Sequence, residues 1–123
     1  MRLVSVRNES RSGAVLGDRI GLADNVWTRL RGLLGHAALL NGEGLLLDPC
    51  HAVHMYGMKQ ALDVAFVSGA GRVVALYHDL RPGQRSGYHR EARQALELPV
   101  GTLSQTDTHI GDHLAIAGGA RSA

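Results

Sequence analysis

A single cysteine, Cys50, stands in the 123 residues, so no disulfide can close within one chain and no multi-cysteine zinc cluster can form from it. Aromatic residues make up only 4%, too few for the stacking platforms that hold single-stranded nucleic acids. The formal charge is only +2, and the basic residues are dispersed, with Arg29 and Arg31 the nearest thing to a cluster. Nucleic acid is therefore not expected as a partner. No apolar run reaches the length of a membrane-spanning helix, and MRLVSVRNES carries no apolar segment of the kind a secretion signal needs. As given, the chain is expected in the cytoplasm; secretion would require a signal peptide already trimmed away.

What is present suits one soluble domain. Hydrophobic residues reach 45%, enough for a packed core, and the length allows one such core rather than two. The 16 glycines favour tight turns over long helices. The domain is expected over 1–117, with 118–123 a disordered tail.

The pattern along the chain is mostly that of strands. Residues 2–7 alternate, NESRSG is a turn, and AVLGDRIGLA reads as a second strand or a pair of short ones. Asp24 or Asn25 can cap a helix near residues 25–38, in which Val26, Trp27, Leu30, Leu33, Leu34 and Ala37 form an apolar stripe. Trp27 and Leu30, at its centre, are expected to pack on the sheet. GLLLDP is a short buried strand, and ALDVAFV and RVVALYHD alternate about SGAG as a hairpin. RQALELP gives another strand, GTLSQTDTHIGD a turn or single helical turn, and HLAIAG the last strand. The fold class is mainly β (α+β by count): a compact antiparallel sandwich or barrel of about seven short strands with one amphipathic helix.

The stretch CHAVHMYGMKQALD, residues 50–63, concentrates the chemistry. It holds Cys50, His51, His54, Met55, Met58, Lys59 and Asp63. Thiolate, imidazole and thioether are ligand types for Cu(I) or zinc, and Cys50, His51 and His54 would be the metal set if there were one. The same cysteine with a histidine base would suit thiol chemistry, although no orienting third group or oxyanion hole is fixed by the sequence. Against both stands ordinary packing: Met55 and Met58 filling gaps in the core, Cys50 as a small buried hydrophobe, and His51 and His54 hydrogen-bonded in a loop. Asp63 shares a strand face with Ala65 and Val67, so its carboxylate needs fixed donors, from Lys59, Arg31 or backbone N–H groups. Glu97 is an acidic candidate that could join it from across the sheet. The loop RPGQRSGYHRE, with His78-Asp79 before it, is rich in arginine and glycine and suits an acidic partner.

Four blocks, RGLLGHAALLNGEGLLLDPC, HMYGMKQALDVAFVSGAGRVVAL, ARQALELPVGT and IGDHL, resemble in that order the family called domain of unknown function 192. The resemblance spans Trp27 to Leu114. It implies a small β-sandwich or barrel carrying a helix and no established activity. Arg31, Gly32, Gly42, Gly44, Met58, Lys59, Asp63 and Glu97 fall on the family's motif positions.

The function expected from these readings is non-enzymatic binding or accessory work, with a small ligand or a protein recognised through loops 50–60 and 81–90. Cys50, His54, Met55, Tyr56, Met58, Lys59 and Asp63 are the binding candidates, and Arg31, Lys59, Asp63 and Glu97 the candidates for structural ion pairing. No cofactor is expected. The alternative is a copper- or zinc-binding or thiol-dependent protein using Cys50, His51 and His54. A hydrolase built on Asp63 and Glu97 ranks last.

Overall fold

The computed structural model describes residues 2–23 and 38–118. Apart from Ala38, the helix expected at 25–38 lies outside these residues, and Arg31 and Gly32 with it. Seven strands follow one another as β1 (Leu3–Asn8), β2 (Ala14–Ala23), β3 (Glu43–Leu47), β4 (Leu62–Val67), β5 (Val73–Leu80), β6 (Gln94–Pro99) and β7 (Leu114–Gly118). A single-turn helix, α1 (Thr102–Gln105), precedes β7. AVLGDRIGLA forms one ten-residue strand, not two. The last strand ends at Gly118, one residue inside the expected tail, and the remainder of that tail is outside the described residues.

All seven strands belong to one sheet, ordered β5-β4-β6-β3-β2-β1-β7. Among the described strands only β2 and β3 pair in parallel. A parallel pair cannot be joined by a tight hairpin, and β2 ends at Ala23 while β3 begins at Glu43. The sheet curls until its two edges meet at one end, where Arg72 and His113 form an antiparallel bridge. Leu114 N donates to Gly71 O and Val73 N to Asp112 O, each at 2.8 Å. Of the two architectures the pattern allowed, this is the barrel-like one.

Alternation builds the core on both sides of the sheet. Leu62, Val64 and Phe66 of β4 join an outer cluster with Leu45, Leu47 and Ala95. Ala65 and Val67 join Leu46, Leu96 and Leu98 in the interior of the curl, with Val4, Val6 and Ile20 from β1 and β2 and Leu103 from α1. Every residue of β4 is therefore buried, which marks a central strand covered on both faces. Two of the motif glycines have a local reason. Gly42 sits at φ +89°, a conformation that favours glycine, and a Cβ on Gly44 would lie 2.6 Å from the Glu97 carbonyl oxygen of the neighbouring strand.

Phe66 is fully buried and touches the rings of both Tyr77 and His89. Phe66→Leu should cost about 1–2 kcal/mol and loosen both rings; near-ultraviolet circular dichroism and urea unfolding together would show it.

Candidate functional site

The outer cluster needs a cover, and loop residues provide it. Residues 50–58 run alongside 83–89 as a second, irregular ribbon. Met55 N donates to Gln84 O (2.7 Å), Gly83 N to Met55 O (3.0 Å), Ser86 N to Val53 O (2.9 Å) and His89 N to His51 O (2.8 Å). Val53 N also donates to Ser86 Oγ at 2.9 Å, and His54 bridges Arg85. The two loops proposed from sequence as one surface are thus hydrogen-bonded to each other along their length.

Within the ribbon, side chains alternate as in a strand: Val53 and Met55 point in, His54 and Tyr56 point out. Cys50, Met55 and Met58 are buried against Leu62, Val64 and Phe66. A helical segment would have set Cys50, His54 and Met58 on one face. The extended backbone instead separates the sulfur atoms, which are inside, from the exposed imidazole of His54.

The thiol donates to Ala52 O at 3.2 Å. His51 Nδ1 donates to His89 O (3.3 Å), and His54 Nδ1 accepts from Tyr56 N (3.3 Å). Among the described residues, no three side chains of the His, Cys, Asp or Glu types are grouped so as to hold a metal ion. Cys50, at 4% exposure, should react slowly with a thiol reagent in the folded protein and completely once urea unfolds it. Fast stoichiometric labelling of the native protein would contradict this burial.

What the ribbon presents outward is aromatic and basic. His51 stacks on Tyr88 with ring centroids 5.2 Å apart, and His54 on Tyr56 at 4.9 Å. Tyr56 is 57% exposed and Tyr88 70%. Lys59, Arg85 and Arg90 are exposed around them. Below, Tyr77 Oη accepts from Gly87 N (2.9 Å) and pairs with His89 Nε2 (2.7 Å), anchoring the ribbon to β5. The alternation of β5 held the signal for this anchor: a tyrosine on a buried strand face needs a partner for its hydroxyl.

Asp63 lies elsewhere, on the interior face. Its Oδ2 accepts from Gly101 N and Leu103 N, and its Oδ1 from Asp79 N, all at 3.0 Å. Lys59 is exposed on the loop and makes no ion pair with it among the described residues. Backbone donors at the start of α1 and at the left-handed Asp79 (φ +58°) take that place. Glu97 is fully buried too, but β4 and β6 align Asp63 with Leu98 and Val64 with Glu97. Residues opposite each other share a face, so the two carboxylates are on opposite sides of the sheet. A hydrolase pairing Asp63 with Glu97 is excluded by that register.

A further polar group was not anticipated from sequence. Asn8 Nδ2 donates to Thr108 Oγ1 and to Asp112 Oδ2, each at 3.0 Å, and Arg11 Nε donates to the same Asp112 oxygen at 3.0 Å. Residues a hundred positions apart cannot be paired by spacing alone.

Residues 7–116 match the model of the DUF192 family, described as an uncharacterized ACR. The chain belongs to the DUF192 family. Its relatives include a UPF0127 protein of Thermococcus sibiricus (strain DSM 12597 / MM 739), 29% identical over 107 residues that cover 83% of this chain and 68% of that one. A solved protein of unknown function from Novosphingobium aromaticivorans DSM 12444 superposes with a TM-score of 0.74 at 22% identity, covering 92% of this chain and 83% of the other. Another, from Sinorhizobium meliloti 1021 and described as a candidate transcription regulator, superposes with a TM-score of 0.73 at 24% identity, covering 95% and 92%. At these identities the two structures show a shared fold. No helix among the described residues of this DUF192 chain is long and apolar enough to cross a membrane.

Proposed function

We propose that this DUF192 domain is a non-enzymatic binding module whose recognition face is the ribbon of residues 50–60 and 81–90, and that its partner is an acidic segment of another protein. The observation carrying the reading is the pair of exposed His–Tyr stacks on a ribbon whose other side is anchored in the core. Exposed tyrosines held rigid lose little entropy on binding and are frequent binding hot spots. Lys59, Arg85 and Arg90 beside them favour carboxylates. Met55 and Met58, sequence candidates for direct contact, act in this reading as supports beneath the face, and Asp63, on the interior side of the sheet, takes no part in it. A reducing, cytoplasmic setting suits the lone buried thiol.

A hexaglutamate peptide titrated into the labelled protein at low salt tests this. Amide shifts should concentrate at residues 51–56 and 84–90 and weaken as salt is added, since exposed charges are screened. Tyr56→Ala with Tyr88→Ala should leave the melting temperature unchanged, both side chains being exposed, and weaken binding by about tenfold or more. Binding that survives the double substitution, or shifts that avoid the ribbon, would overturn the assignment.

A further inference from the structure

A strand at the end of a sheet leaves backbone N–H and C=O groups without a ladder partner, and folded proteins cover, charge or shorten such edges. Among the described residues β5 is one end of the strand order and pairs only with β4. Its beginning is covered, because Val73 N donates to Asp112 O and Val73 O accepts from Gly111 N, both at 2.8 Å. From Val74 onward the two segments part. A hollow of about 700 Å³ opens between Leu76 and His78 on β5 and Leu103, Thr108 and Ile110 opposite.

The other face of the same edge is hollow as well. Val74 and Leu76 would share a face in a regular strand. A bulge, which sets Val67 against Val73 and Phe66 against Ala75, turns Val74 to the outer cluster while Leu76 packs with the interior one, so the two side chains mark opposite faces. Val74 borders a hollow of about 520 Å³ with His89 and Arg90, and another of about 310 Å³ with Arg72 and Ile110; Glu91 lines both. Alternate side chains of an added strand point to opposite faces. They would enter the larger hollow and the two smaller ones in turn.

We propose that the free edge of β5 binds an extended segment of a partner protein, taken up as an eighth strand antiparallel to β5. An apolar side chain of that segment lies toward Leu76, Leu103 and Ile110, and carboxylate side chains lie toward Arg72 and Arg90. Main-chain bonds supply affinity at such edges, and alternating pockets supply selectivity. The acidic preference on the outer face follows from charge: Arg72 and Arg90 are exposed there, and of the residues lining those two hollows only Glu91 is acidic. Asp107 lines the larger hollow on the other face and favours an apolar side chain there over a carboxylate. Ile110, 63% exposed at the rim, is an apolar contact otherwise left in water. A second copy of this chain fits the edge poorly, because two β5 strands centred on Leu76 and Tyr77 would set Arg72 against Arg81, and like charges across a pair repel. The site shares Arg90 and the rim residue Tyr88 with the ribbon, but its backbone groups and Ile110 lie apart from His54 and Tyr56, so main-chain pairing at this edge stands whether or not the ribbon binds.

The probe is the capped peptide Glu-Val-Glu-Val-Glu, followed by amide NMR on the full chain. Shifts and slowed amide exchange are expected at residues 74–78 and 109–111. Two analogues give the decisive contrast, one N-methylated at both valines and one at the glutamates. Only alternate residues of an added strand bond to β5, so one frame should abolish binding and the other retain it. Ile110→Asp should weaken binding by about tenfold, Glu91→Gln should strengthen it, and Tyr56→Ala should leave it unchanged. Equal binding by both analogues, shifts confined to the ribbon, or no shifts at millimolar peptide would each overturn the proposal.

Discussion

Asp63→Ala should destabilise the domain by about 3–5 kcal/mol, a large part of the ~5–15 kcal/mol that holds most domains folded. The carboxylate is completely buried and takes three backbone N–H groups, two from residues 101 and 103 and one from Asp79. Gly101 stands at the head of α1 and has no side chain to cap it. Asp63 reaches across from β4 to satisfy donors that the short helix would otherwise leave open. Its other oxygen fixes the backbone where β5 turns left-handed at its end. Alanine takes the acceptor from all three donors; the buried Leu103 N–H loses about 1–3 kcal/mol before relaxation, and the half-buried Gly101 and Asp79 N–H groups lose less because water can reach them. Asp63→Asn should cost less, since an amide oxygen can keep the bonds to residues 101 and 103 while its NH₂ faces the Asp79 N–H without accepting it. Urea unfolding of both variants gives the order. An alanine variant as stable as the parent would remove the pinning role and leave this buried carboxylate without a structural account.

That role was half legible. Period-two alternation put Asp63 on the face of Ala65 and Val67, and the two core clusters divide β4 in that way. Burial beside apolar neighbours implied fixed donors. Which donors was not legible, because Gly101 and Asp79 come near Asp63 only through the strand order β5-β4-β6, and long-range pairing leaves no local mark. For residues 50–58 ordinary packing was legible, and Met55 and Met58 are buried in the outer cluster. The path of the loop was not, because hydrogen bonding to residues 83–89 makes the backbone extended and turns alternate residues apart. The strands were legible because their side chains are sorted by burial at a period that any sheet imposes. The curl was not, since closure rests on a few bonds between residues 71–73 and 111–114.

Those closing bonds frame the last expected result. Asp112→Ala should cost about 2–4 kcal/mol at neutral pH, because Asn8 Nδ2 and His109 N lose a buried acceptor. Arg11 contributes less to the loss, as its side chain is 36% exposed and can turn to water. Burial alone would raise the Asp112 pKa; the Asn8 amide, the His109 N–H and the Arg11 guanidinium outweigh it and hold the carboxyl below its ordinary value. A group whose pKa is lower folded than unfolded stabilises the fold above its unfolded pKa. That stability is lost as the solution is acidified toward the folded value. The loss should begin as the pH falls through about 3.8, the ordinary aspartate value, and continue below it. Asp112→Asn removes this titration, so the stability gap between parent and variant should be wide at pH 7 and narrow as the pH falls below that value. Paired urea unfolding at the two conditions measures it. A gap that stays constant would mean that shape, not the ionised acceptor, holds β1 to the segment before β7. In the neutral protein, weakening this anchor should also raise amide exchange at Gly111 and Leu114, where the sheet edges meet.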